Sequence, residues 1–483
     1  MANPDRLTGL DSSFLHLERD SAHMHVAGCM VFEGKAPTYP ELVDQIGLRL
    51  HLVPRYRQRL AFVPFNQGRP VWVDDPHFNL TYHVRHTALP RPGGDHELKR
   101  LAGRIFSQAL DRNRPLWELW LVEGVADDRF AMLSKTHHAL VDGISGVDIA
   151  TVLFDSSSDP MPVSQPESDW VPRPLPSKAQ LLADALLERS TAPAEVVRGV
   201  RATTRRPRHV AQRVGEGLVG VGAMAWAGLN AAPPSPFNVR IGPHRRFSWV
   251  EGDLAQFKAI KNALGGTVND VVLTAVSGAL GSYLRRNEYP TADLVLKAMV
   301  PVSVRADIEQ GALGNKVAAM WAPLPVGMTD PVERMLTISH AMRGIKDSGQ
   351  AVGAQVLTGL SGFAPPTIMA QAARLQARQR LFNLVVTNVP GPQHPLFMLG
   401  RELEALYPMV PLAENTALGI AIMSYNGQLN FGFTADYDAL GDVEALTEDL
   451  RSSIEELAAA ASGPPGNGSG ARASGKRAVR AAG

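Results

Sequence analysis

The chain has a single cysteine, Cys29, in 483 residues. That excludes an intrachain disulfide framework and any cysteine-rich zinc site, and it fits a reducing compartment. Cys29 stands in the apolar run VAGCMVF, where a small core residue is the expected reading rather than a nucleophile. An excess of charge of one sign is also missing. With 48 basic and 47 acidic side chains the formal net charge is +1, so no global field points to nucleic acid or to an acidic partner. The opening MANPDRLTGLDSSFLHLERD carries charges throughout and has no apolar leader core. Long hydrophobic runs are lacking as well. One long uncharged stretch, Gly217 to Val239, holds four glycines, Asn230 and Pro233-Pro234. Its apolar part of about fourteen residues suits a core or interfacial helix better than a span. A soluble or peripheral cytoplasmic protein is the expectation.

Several catalytic motifs are missing too: GxSxG, HExxH and GxxxxGK[ST] do not occur. A formal GxGxxG spans Gly215 to Gly220, but it follows an arginine-rich helical region rather than a strand, which argues against dinucleotide binding. His23 and His25, like His83 and His86, are close pairs with no third ligand at metal spacing. They read as partly buried strand histidines, and no metal is expected.

What is present is an ordinary globular composition, 45% hydrophobic and 20% charged, in a chain long enough for two or three domains. Residues 1–155 alternate strands and helices. HVAGCMVFEG, WELWLVEGV and RFAMLSKTHHAL read as strands, ELVDQIGLRLHLV and ELKRLAGRIFSQAL as amphipathic helices. Residues 156–236 form a linker and a mobile helical, basic segment: six prolines between Ser156 and Ser177, the helix KAQLLADALLERS, then Arg198, Arg201, Arg205, Arg206, Arg208 and Arg213 without an acid among them. Those arginines read as a solvated face, with anionic lipid or cofactor phosphate as the alternative.

Residues 237–461 form a second section with the helix NDVVLTAVSGALGSYLRR. Strands are expected in DLVLKAMVPVSVR, KVAAMWAPLPV and LFNLVVTNV, with two helices between Pro331 and Arg380. TALGIAIMSY and QLNFGFTADY are joined by Asn426-Gly427, a type I′ hairpin signal, and VEALTEDLRSSIEELAAAA closes the section. Residues 462–483 are low-complexity and read as a disordered tail.

The chemistry-bearing string is His137-His138-Ala139-Leu140-Val141-Asp142-Gly143. Two adjacent histidines at a strand end point in opposite directions, so one can face a cleft while the other packs inward. An Asp four residues on, followed by Gly143, turns the chain back toward the imidazole. That supplies what a general base needs, a pKa near neutrality and a partner that fixes the ring tautomer. With no nucleophilic Ser or Cys motif, the histidine would activate the acceptor hydroxyl directly.

HHALVDG resembles the active-site signature of the coenzyme-A-dependent acyltransferase superfamily. LTGLDSSFLHLERDSAHMHVAG, LDRNRPLWELWLVEG, TVNDVVLTAVSGAL, PVSVR, LGNKV, VVTNVPGP and YNGQLNFGFTADYDAL, in this order, resemble the bacterial wax ester synthase/diacylglycerol acyltransferase family over about residues 7 to 460. The likeness weakens between 156 and 236 and is absent from the tail. It implies an α/β (α+β) fold of two chloramphenicol-acetyltransferase-like lobes, each a mixed sheet with helices, around a central tunnel. It implies an O-acyltransferase that moves a long-chain acyl group from acyl-CoA, its co-substrate, to diacylglycerol or a fatty alcohol, with no other cofactor.

Carried over by residue, His138 is the base, while His137 and Asp142 are its scaffold and Gly143 allows the turn. Arg305, in PVSVR, is the candidate ion-pair partner of Asp142, with a surface arginine as the alternative. Pro115 and Trp117 match a PLW motif, read as core packing before tunnel lining. Asn269 and Asp270 match an ND motif and read equally as N-cap residues or substrate contacts. Asn388 opens NVPGP, a rigid loop expected to shape the tunnel mouth. Peripheral contact with the inner membrane face or lipid droplets is expected, with Arg198–Arg213 and Gly217–Leu229 as the candidate segment. The competing readings are a superfamily acyltransferase for a polyketide or amine acceptor and a catalytically silent lipid-binding module.

Overall fold

A computed structural model describes residues 5–141, 153–159, 169–188, 231–303, 317–347 and 380–462. Asp142, Gly143, Arg305, the Arg198–Arg213 and Gly217–Leu229 segments and residues 463–483 of the C-terminal tail lie outside the described residues, while Ser462 belongs to the last helix.

Two six-stranded mixed sheets organise the chain. The first has the order β11-β12-β1-β6-β5-β4: β1 is His25–Glu33, β4 Val84–Ala88, β5 Trp117–Val125, β6 Arg129–His137, β11 Phe397–Met398 and β12 Arg401–Met409. The second has the order β7-β14-β13-β10-β8-β9: β7 is Arg245–Asp253, β8 Val295–Ser303, β9 Val317–Pro325, β10 Leu384–Pro390, β13 Leu418–Tyr425 and β14 Gln428–Asp436. A small hairpin, β2 (Gln58–Ala61) and β3 (Val71–Asp74), stands apart. The helices are α1 (Gly9–Leu17), α2 (Tyr39–Arg49), α3 (Asp95–Phe106), α4 (178–188), α5 (Leu254–Leu264), α6 (Val268–Arg286), α7 (Pro331–Asp347) and α8 (Val443–Ser462).

Local chemistry accounts for many of these boundaries. Thr8 and Asp11 form a capping box at the start of α1, as Thr38 and Glu41 do for α2. Asn426 and Gly427 both have positive φ, the type I′ geometry that the dipeptide predicts, and Tyr425 pairs with Gln428 across the turn. α6 buries nearly every residue from Asp270 to Leu284, so it reads as a core helix that is apolar all round. No single helix among the described residues is long and apolar enough to cross a membrane.

The division of the chain near residue 237 needs one correction. The first sheet takes two strands, β11 and β12, from the last part of the chain. β12 pairs antiparallel with β1, Ala27 opposite Met409 and Cys29 opposite Tyr407. Without it the apolar edge of β1 would stand open, which is why the crossover is worth making. β12 also passes over the second sheet, where Tyr407 stacks on Trp249 with ring centroids 4.4 Å apart. Glycine is required at that crossing: a Cβ on Gly432 would sit 1.7 Å from the Pro408 carbonyl oxygen. The lobes are thus tied by a strand as well as by α3, whose Gly103 lies against the backbone of Arg245.

Candidate active site

The first of the two histidines ends a strand and the second begins a helical turn. β6 closes at His137, directly opposite His25 of β1, and residues His138–Val141 turn away. Backbone bonds fix this corner: His137 N–H donates to Leu116 O at 2.9 Å, and His138 N–H donates to Met24 O at 2.8 Å. The corner is therefore held from both flanking strands, one contact coming from the Pro115-Leu116-Trp117 segment.

His137 is buried, 1% exposed. Its Nδ1 accepts the Ala139 N–H at 3.1 Å, so the ring hydrogen sits on Nε2, which donates to Glu18 Oε2 at 3.3 Å. Glu18 directly follows α1. Its carboxylate also takes Arg112 Nε–H at 3.0 Å and a second Arg112 donor, and His23 lies 3.9 Å away. Burial pushes the Glu18 carboxyl up, but hydrogen bonds from His137 and Arg112 and the Arg112 charge outweigh it and hold the group at about 2. Arg112 additionally donates to Leu15 O at 3.2 Å, which clamps the end of α1 to the loop after α3.

α1 reaches the second histidine as well. Phe14 stacks on His138 with ring centroids 4.0 Å apart and planes at 17°. His138 is half-buried, and its Nδ1 is enclosed. One short helix thus grips both histidines, Phe14 on one ring and Glu18 on the other. Behind them His25 donates Nε2–H to Phe106 O at 2.8 Å; burial and then the Lys135 charge push its pKa well down, so it stays neutral. Lys135 itself is fully buried, donating to Ile105 O, Gln108 O and the Glu118 carboxylate, and burial lowers its pKa.

The other predicted residues fall into two groups. Pro115 and Trp117 lie in the first-lobe core: the Trp117 indole N–H donates to Tyr56 O at 2.8 Å, and its ring stacks on His83 at 4.7 Å. His83 ends a helical turn, Leu80–His83, rather than lying in a strand; it is buried, and desolvation lowers its pKa to about 4. His86 is partly exposed and 3.4 Å from Glu123. Among the described residues no group of His, Cys, Asp or Glu is arranged to hold a metal. Cys29 is fully buried and its thiol is pushed up by burial.

The second group lies on the second lobe. The helix cap is Thr267, so Asn269 and Asp270 sit inside the first turn of α6 rather than at its N-cap. Asp270 closes a capping box, accepting the Thr267 N–H at 2.8 Å and hydroxyl at 2.9 Å. The side chains of Asn269 and Asn388 meet at 3.5 Å, the outer limit of a hydrogen bond. The loop that follows is tightly seated, since a Cβ on Gly391 would lie 2.3 Å from Ser424 O.

The family model of the wax ester synthase/diacylglycerol acyltransferase catalytic domain matches residues 7–272, and that of the WS/DGAT C-terminal domain matches residues 313–458. This chain belongs to the wax ester synthase/diacylglycerol acyltransferase family. Two Mycobacterium tuberculosis relatives, each named a probable diacylglycerol O-acyltransferase, are similar along nearly their whole length. One, tgs1, is 32% identical over 94% of this chain and 96% of its own; the other, tgs2, is 35% identical over 92% and 97%.

A wax ester synthase/diacylglycerol acyltransferase from Marinobacter aquaeolei VT8 has a solved structure with 30% identity and a TM-score of 0.65, covering 94% of this chain and 99% of that one. The first condensation domain of the CDA synthetase, 15% identical with a TM-score of 0.52 over 94% of this chain and 95% of that one, shares the fold. This member of the WS/DGAT family is therefore an acyltransferase, and it shares its fold with the Marinobacter aquaeolei VT8 enzyme and with the condensation domain.

Sequence reasoning about the WS/DGAT site missed Glu18, Arg112 and Phe14. The segment LTGLDSSFLHLERD carried family likeness, but nothing in it separates an inward glutamate from the charges around it.

Proposed function

We propose that this acyltransferase moves a long-chain acyl group from acyl-CoA to the hydroxyl of diacylglycerol, of a fatty alcohol, or of both, with His138 as general base. The family match supports the reaction. The observation that carries the base is the half-buried His138 ring, set by backbone bonds on a strand end and stacked face-on against Phe14. Its Nδ1 is enclosed, which supports reading Nε2 as the nitrogen that meets the substrate.

The acceptor hydroxyl gives its proton to Nε2 as its oxygen attacks the thioester carbonyl carbon. The tetrahedral intermediate collapses with cleavage of the C–S bond, and the imidazolium returns the proton to the leaving thiolate. Ester and free thiol are the products. General base help of this kind contributes about 10²–10⁴-fold, and holding both substrates in one cleft contributes further. The Phe14 face favours the imidazolium that forms in between. His137, Glu18 and Arg112 fix the corner, and Asp142 with Arg305 is read as a second brace. The Asn388–Pro392 loop, with Asn269 against it, is read as shaping the substrate mouth. No cofactor beyond acyl-CoA as co-substrate is called for. Since the acceptors are lipids, we place the enzyme in the cytoplasm, in peripheral contact with the inner membrane face or lipid droplets.

The test is purified protein with palmitoyl-CoA and either dioleoylglycerol or hexadecanol, following thiol release and ester formation. Absence of thiol release with both acceptors rejects the substrate reading. His138→Ala is expected to lose at least about 10²-fold in kcat; a folded variant within a few-fold of the parent rejects the base.

A further inference from the structure

The β2–β3 hairpin has a feature that acyl transfer does not use. From Leu60 to Gly68 its connection, LAFVPFNQG, contains no charged residue. Phe62 is 48% exposed and Phe65 82%. Phe65 and Asn66 both hold positive φ, 57° and 53°, a backbone that few non-glycine residues adopt and that keeps Phe65 turned outward.

The hairpin is firmly seated. Its inner residues Val71 and Val73 pack on Leu181 of α4. Gly68 touches the end of the same helix, since a Cβ there would lie 2.8 Å from the Ala185 Cβ, and Glu188 pairs with both Arg6 and Arg69. At that end Leu186 and Leu187 are 51% and 66% exposed. Four large apolar side chains therefore stand in solvent at one end of a braced unit, which monomeric surfaces rarely leave without a purpose.

Charge indicates what covers them. Around the hairpin Arg6, Arg55, Arg57, Arg59, Arg69 and Arg173 stand against Asp5, Asp74, Asp75 and Glu188, six positive charges to four negative. Aromatic residues at a tip with arginines behind them match the boundary between acyl chains and anionic headgroups. The position also fits. Leu7 N–H donates to Pro70 O and Trp72 N–H to Asp5 O at the edge of β3, and the chain then runs straight into α1, whose Phe14 lies on His138. A helix of nine residues, about 13 Å long, separates the hairpin's edge from the catalytic corner.

We propose that the loop carrying Phe62 and Phe65, with Leu186 and Leu187 beside it, docks on an anionic lipid surface and brings the acyl-transfer site to its lipid acceptor. The proposal rests on the acceptor being a lipid, and it locates the contact outside the arginine-rich 198–229 segment.

The experiment compares the full chain with Phe62→Ser/Phe65→Ser, two surface changes whose folding is checked by circular dichroism. Flotation uses vesicles of phosphatidylcholine with 30 mol% phosphatidylglycerol and vesicles of phosphatidylcholine alone. The parent is expected to float with the anionic vesicles and much less with the neutral ones, and the folded variant to bind at least about tenfold more weakly. Thiol release from palmitoyl-CoA with detergent-dispersed hexadecanol is expected to be the same for both proteins, while ester formation on vesicle-borne dioleoylglycerol falls in the variant. A parent that stays unbound, or a variant that floats like it, overturns the proposal; equal flotation with neutral vesicles overturns its anionic part. Flotation is read independently of thiol release, so loss of the acyl-transfer reading would be recognised separately.

Discussion

Glu18→Gln tests whether a carboxylate beneath the histidine corner holds it together. The change keeps the side chain's shape and an oxygen that can accept the His137 Nε2–H, but it removes the negative charge between Arg112, His137 and His23. The Glu18 side chain is 9% exposed, and its carboxyl is held at about 2 against an ordinary value of 4.5, a difference worth about 3 kcal/mol. Arg112 is 39% exposed, so solvent screening lowers the expected loss to about 2 kcal/mol at pH 7. A depressed carboxylate pKa stabilises the fold above the unfolded value of about 4.5, and that stabilisation disappears as pH falls toward about 2. The parent-minus-variant gap in unfolding free energy, from urea titrations between pH 7 and pH 3, is therefore expected to be full at pH 5 and above and to shrink steadily below it. A gap under about 0.5 kcal/mol at pH 7, or one unchanged at pH 3, refutes the ion-cluster argument. Because the His137 tautomer can survive with Gln, kcat is expected to fall less in Glu18→Gln than in Glu18→Ala.

Phe14→Ala removes the ring that covers His138 while leaving the proposed base in place; kcat should fall about tenfold with little change in the KM for palmitoyl-CoA, measured by thiol release. An unchanged kcat would reduce Phe14 to packing. Gly432→Ala forces a methyl group against the Pro408 carbonyl, 1.7 Å from its ideal position, and should cost about 1–3 kcal/mol or more in urea unfolding. A neutral result would show that the strand crossing is looser than described.

Local pattern made much of the fold legible. β5 runs from Trp117 to Val125, the bounds of the strand segment WELWLVEGV, and the Asn426-Gly427 turn and α6 lie where the sequence pattern puts them. The double histidine was placed at a strand end because the apolar run stops there. What stayed hidden depends on partners far apart in sequence. RELEALYPM alternates well enough for a strand, yet nothing in it says that β12 leaves the second section to pair with β1. Glu18 and His137 are 119 residues apart, and Glu18 among the charges of LHLERD reads as solvated until its burial is seen. The ND motif was half legible: a capping role was foreseen, but the cap residue is Thr267, with Asp270 answering it from the third helical position.

The placement of α1 explains why the site depends on both ends of the first lobe. Residues 5–7 are bonded to the edge of β3, α1 lies across the corner after β6, and Arg112 holds the α1 C-terminus to the loop following α3. None of these contacts belongs to the strand that bears His137, yet each limits where the two imidazoles can go. The corner is also reached from the far end of the chain: β12 completes the sheet on the open side of β1, whose His25 faces His137. Loss of β12 would uncover β1, loosen the strand opposite His137 and so disturb the histidine corner without touching His138. The crossover therefore couples the second lobe to the histidine corner of the first through backbone pairing.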